Sequence, residues 1–78
     1  MTYHNYQYKG EDYIALLGDG GGIIVSTENE SAIEIGIQGG EFATTEVILS
    51  CMFDAADRSG WKDCEVWFDV PAENAEQN

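Results

Sequence analysis

Side chains able to do covalent or acid–base chemistry are scarce in this sequence. One histidine, His4, and two cysteines, Cys51 and Cys64, stand against fifteen Asp and Glu. A nucleophile needs a base within hydrogen-bond reach, and no Ser/His/Asp or Cys/His arrangement can be traced around a histidine so near the N-terminus. Two cysteines without further Cys or His partners do not make a zinc site. Gly18-Asp19-Gly20-Gly21-Gly22 has the glycine density of a dinucleotide-binding loop. The third glycine of that fingerprint would fall at Ile23, however, and the next segment reads as a strand, so a hairpin turn is expected. Asp19 through Glu30 has the length of a calcium loop, but Gly20 to Val25 offers no side-chain oxygen at the alternate positions such a loop uses. The expectation is a protein that is not an enzyme and holds no metal or cofactor.

Carboxylate is what the chain has in surplus. Only Lys9, Arg58 and Lys62 oppose the acids, leaving a formal net charge of −12. Within Trp61 to Val70, Asp63, Glu65, Trp67 and Asp69 share one side of an expected strand. Residues two apart there lie roughly 6.6 Å from each other. The result is a row of negative charge with an indole set in it, and Trp is enriched among interface anchors. Glu34 and a helix stripe of Glu46, Asp54 and Asp57 extend the same field, with Glu28 and Glu30 beside them. A second reading of the same residues has this face partly covered by the chain itself, with Trp67 in a secondary core.

Charge of this size in a small body opposes compaction and keeps the protein soluble. It cannot pair with phosphates, so direct binding to nucleic acid or an anionic membrane is disfavoured. A basic macromolecule is the natural complement. No run reaches the roughly 18–20 apolar residues of a spanning helix. Met1-Thr2-Tyr3-His4 has neither the basic nor the apolar part of a secretory signal. Two cysteines are too few for a disulfide framework and fit a reducing compartment. A cytosolic protein is expected.

Seventy-eight residues, 44% of them apolar, suffice for one core. Tyr3 to Tyr8 alternates, with Tyr6 and Tyr8 on one face and Tyr3 on the other. Lys9-Gly10-Glu11-Asp12 reads as a turn, Tyr13 to Leu17 as a second strand and Ile23 to Thr27 as a third. Ile33, Ile35 and Ile37 mark one buried face of a fourth. From Thr44 the period changes. Thr44 or Thr45 caps a helix, Glu46 suits its first turn, and Arg58 with Gly60 closes it. Ile48, Met52, Ala55 and Ala56 gather on its apolar side, with Val47, Leu49, Cys51 and Phe53 toward the flanks. Cys51 and Phe53 are candidate contacts of a homodimer. Residues 61–70 form the last strand. The fold class is α+β: a mostly antiparallel sheet of four to five strands with one amphipathic helix packed on it, a single domain over 1–70 and a flexible acidic tail over 71–78.

In size, charge and layout the whole chain resembles the DNA-mimic inhibitors of bacteriophages, and most closely the small anti-CRISPR proteins that act on type I systems. The resemblance implies a phage-encoded, non-catalytic inhibitor in the host bacterial cytosol. Its partner would be a basic nucleic-acid-binding complex, and it would block target DNA by occupying Lys and Arg with carboxylates. Two other classes fit the same charge: an antitoxin-like or immunity-like inhibitor of a basic nuclease, and a small homo-oligomeric structural protein pairing through its Tyr-rich first strand.

Overall fold

The computed structural model describes residues 1–28, 30–40 and 43–68. Five strands form one sheet in the order in which they occur: β1 (Thr2–Tyr8), β2 (Glu11–Gly18), β3 (Gly21–Ser26), β4 (Ala32–Gln38) and β5 (Cys64–Trp67). The first four make an antiparallel meander. Lys9 and Gly10, at φ 51° and 84°, supply the two left-handed residues of the β1–β2 hairpin. Asp19 and Gly20 turn β2 into β3, while Gly21 and Gly22, expected in the loop, are already paired as strand. The helix α1 (Thr45–Arg58) then carries the chain back along the sheet, so β5 runs parallel to β4.

Local signals for α1 are where the sequence puts them. The Thr44 hydroxyl accepts from the Val47 amide at 3.2 Å, and Glu46 sits in the first turn. At the other end the Gly60 and Trp61 amides donate back to the carbonyls of Asp57 and Ala56, the paired bonds of a Schellman stop. Trp61 itself is held at φ 64°, an unfavourable conformation for a bulky residue. It is therefore not the start of the last strand; β5 begins at Cys64.

One sheet face carries Tyr6, Tyr13, Ala15, Gly22, Ile24, Ile33, Ile35, Ile37 and Val66, and α1 lies on it. The buried helix residues are Leu49, Met52, Phe53, Ala55 and Ala56. The apolar face is thus turned toward Leu49 and Phe53, and Ile48 is only half-buried. The cause is an aromatic cluster on the far side of the sheet from β5. The Phe53 ring stacks on Tyr6 at 4.5 Å, meets Tyr13 at 5.2 Å and Tyr8 at 5.6 Å, and Trp61 stacks on Tyr13 at 5.2 Å with the planes 9° apart. Such pairs add about 0.5–1.5 kcal/mol each beyond their area burial. Phe53 is fully buried, which overturns its candidacy as a dimer contact. Cys51 is half-buried against the core and, like Cys64, is a free thiol.

The expected last-strand residues Asp69 and Val70 and the expected tail at 71–78 lie outside the described residues. Among the described residues no helix is long and apolar enough to cross a membrane.

Candidate functional site

Strand parity sorts the expected binding residues onto two sides of the molecule. Glu34, Glu65 and Trp67 project from the sheet face opposite α1, the open face. Their neighbours in register prove the placement: Glu34 opposes Ile23, Glu65 opposes Gly36 and Trp67 opposes Gln38, whereas Ile35 and Val66 face the helix. Glu46, Asp54 and Asp57 stand on α1, on the other side. The expected residues therefore do not form one continuous field.

Two of the helix acids are occupied within the fold. The Tyr8 hydroxyl, at the end of β1, donates to Asp54 Oδ1 at 3.0 Å and to Asp57 Oδ2 at 3.3 Å. Lys9 Nζ donates to the same Asp57 oxygen at 2.8 Å and lies 5.5 Å from the Tyr8 ring centre. This node ties the β1–β2 hairpin to the helix. The Lys9 ammonium holds the Asp57 carboxyl below its ordinary range, and Asp57 in turn holds the Lys9 ammonium above its own. Partial desolvation, then the bond to Asp54, pushes the Tyr8 phenol up.

On the open face the acids have different surroundings. Asp63, immediately before β5, spends one oxygen on the Glu34 backbone amide at 2.8 Å, closing the start of the parallel ladder. It is an anchor of the β4–β5 pair as well as an exposed charge. The Glu65 side chain lies across Gly36, where an added Cβ would stand 3.0 Å from its Cγ. Trp67 is 71% exposed, which removes the reading that places it in a secondary core. The expected row on β5 is thus carried by Glu65 and Trp67, joined by Glu34 from the next strand; Asp69 lies outside the described residues.

Next to these acids the backbone is bare. Gly18, Gly21 and Gly36 are in register across β2, β3 and β4 and lead to Glu65. They floor a shallow depression of about 350 Å³ whose walls include Met1, Asp19, Ile23 and Glu34. Beyond it, Leu16 and Ile23 oppose each other, as do Ile14 and Val25 in the next row. These four half-buried side chains make an apolar block in the middle of a face that no helix among the described residues covers. The block was not expected from the sequence. Its signal was present, because Tyr13 to Leu17 and Ile23 to Val25 are unbroken apolar runs, the pattern of strands covered on both faces.

Ion pairing inside the fold is sparse. Among the described residues the one salt bridge is Lys9–Asp57. Glu34, Glu46 and Glu65 are exposed with no cation in salt-bridge reach. His4, on β1, shares a hydrogen bond of 2.9 Å with the Thr2 hydroxyl. Among the described residues no three His, Cys, Asp or Glu side chains converge as a metal ion would require. The chain matches no protein-family model, no curated protein and no solved structure.

Proposed function

We propose that this protein is a non-catalytic inhibitor that docks on a basic nucleic-acid-binding surface and keeps nucleic acid away from it. The type I CRISPR surveillance complex is the partner that its size and charge favour. The observation that carries the proposal is a formal charge of −12 on which a single ion pair among the described residues draws, with Glu34 and Glu65 left exposed on the open sheet face. Holding so much like charge together opposes folding, and that opposition is relieved when a cationic surface supplies the missing counter-charges. Phosphate contacts dominate the affinity of nucleic-acid-binding proteins, so carboxylates fixed over the same cations compete for the greater part of that affinity.

The test is competition. Fluorescence anisotropy of a labelled target duplex on a purified type I surveillance complex is followed as this protein is added. Loss of bound duplex is expected, with reversal of charge at Glu34 and Glu65 weakening the effect. Unchanged duplex binding at a large excess of folded protein sinks the assignment to that complex. A pull-down that instead returns one small basic nuclease, inhibited in proportion to the protein added, replaces it with the immunity-like alternative.

A further inference from the structure

We infer that the partner meets the open face of the sheet with an amphipathic, basic element, seating apolar side chains on Ile14, Leu16, Ile23 and Val25 and Lys or Arg against Glu34 and Glu65. The inference rests on the proposed docking to a basic surface and adds where the docking occurs and what besides charge holds it.

Two observations point to this occupant. First, the apolar block is contiguous across the central strands β2 and β3 and continues to Tyr3, which is 60% exposed and opposes Leu16 on β1. Scattered single hydrophobes on a surface need no explanation, but a joined patch with a polar margin is the usual anatomy of an interface centre. Second, the charged strand residues at the margin are of one sign. Glu34 follows Ile23 in the same cross-strand row, Glu65 lies one row further, and Asp12 closes the other end, where Gln7 donates to it at 3.4 Å. None of Lys9, Arg58 and Lys62 belongs to a strand. A second copy laid face to face would therefore bring acid against acid around its apolar centre. A partner that is apolar in the middle and cationic at the edge meets both features.

Pure charge mimicry and this arrangement differ in their response to salt. Screening weakens the exposed ion pairs, while burial of the apolar block is retained, so affinity falls with salt to a floor and does not vanish. The glycine-floored depression beside Glu34 and Glu65 leaves room for the aliphatic stem of a long cationic side chain, which lies along apolar surface while its head group reaches the carboxylates.

The experiment titrates ¹⁵N-labelled protein with three synthetic helical peptides of equal length: Leu/Lys amphipathic, Ser/Lys of the same charge, and Leu/Glu amphipathic. The Leu/Lys peptide is expected to move the amides of Ile14, Leu16, Ile23 and Val25 and to bind about tenfold or more tightly than Ser/Lys at 0.5 M salt, the effect of about one well-buried side chain. Leu16→Gln with Ile23→Gln should abolish that difference and leave Ser/Lys binding as it was. Shifts confined to α1, or a double variant that binds Leu/Lys like the wild type, overturn the inference while leaving the charge-based reading intact. Binding of neither cationic peptide sinks the charge-based reading itself. Equal binding of Leu/Glu removes the cationic margin, and a dimer in light scattering that the double variant dissolves puts a second copy in the partner's place. Mapping on the wild-type protein settles the face should the double variant unfold.

Discussion

Replacing Phe53 tests its place as the central ring of the core against the dimer contact expected from sequence. Its side chain is fully buried and is the ring around which Tyr6, Tyr8, Tyr13 and Trp61 assemble. Truncation of a buried Phe to Ala costs about 3–5 kcal/mol, the transfer of the ring plus the cavity it leaves. A chain of 78 residues has about 4–12 kcal/mol of total stability on the usual scale per residue, so Phe53→Ala removes about a quarter or more and can unfold the domain. Phe53→Leu is the more informative change. It keeps much of the apolar volume and forfeits the ring-on-ring terms of four contacts, about 2 kcal/mol at the low end of their range. For a domain of this size that lowers Tm by about 5–15 °C. Far-UV circular dichroism and tryptophan fluorescence through a urea titration read the loss, Trp61 reporting from the cluster and Trp67 adding a solvent-exposed background. Light scattering on the same samples should show no change in mass. A Phe53→Leu variant with the wild-type midpoint and an altered oligomeric state would refute the packing account and restore Phe53 as an intermolecular contact.

Four further outcomes follow from the packing, the Tyr8–Lys9–Asp57 node and the net charge. Gly22→Ala places a Cβ 2.8 Å from both the Leu16 carbonyl oxygen and Met52 Cε, at the point where α1 rests on the sheet. Overpacking of about 1–3 kcal/mol outweighs the 0.4–1 kcal/mol or so that Gly→Ala gains through the unfolded chain, so the urea midpoint should fall. Asp57 has a lowered folded-state pKa, so its contribution is present above its ordinary value of 3.8 and is lost as pH falls through the depressed one. The difference in urea midpoint between wild type and Asp57→Asn should accordingly be largest near neutrality and shrink in acid. Lys9, Tyr8 and Tyr13 are all raised, so their shared contribution is complete below about pH 10 and declines above it, readable as a falling Tm in alkali. Raising salt from 0.01 M to 0.15 M shortens the Debye length from about 30 to about 8 Å and should raise Tm, because at −12 the screened interactions are mostly repulsive.

Much of the fold is legible in one dimension. The alternation of Ile33, Ile35 and Ile37, the change of period after Thr44, the Thr cap, the Gly60 stop and a turn after Tyr8, expected over Lys9 to Asp12 and made by Lys9 and Gly10 with Glu11 and Asp12 already in β2, are each local, and each is set by the backbone preferences or side-chain periodicity of a few consecutive residues. The candidate site was legible only in part. Glu65 and Trp67 share a strand face because parity is a local property. Their separation from Asp54 and Asp57 is not local, for it depends on which side of the sheet α1 comes to lie. The Phe53 misplacement has the same origin: a helical wheel gives the order of faces, and the Tyr-rich hairpin, distant in sequence, decides which of them is innermost.

The amino-acid sequence by itself determined that this is a strongly acidic α+β domain, where its helix begins and ends, and which side chains alternate on each strand. Only the tertiary structure decided that β5 lies parallel beside β4, that Tyr8 and Lys9 engage two of the helix acids, and that among the described residues the apolar runs of β2 and β3 are covered on one face alone. The physical reason is that a strand's two faces are equivalent until something packs on one of them. A single helix has only enough apolar surface to cover one, and the face left over, apolar at its centre and acidic at its margin, is a property of the assembled sheet that no one segment contains.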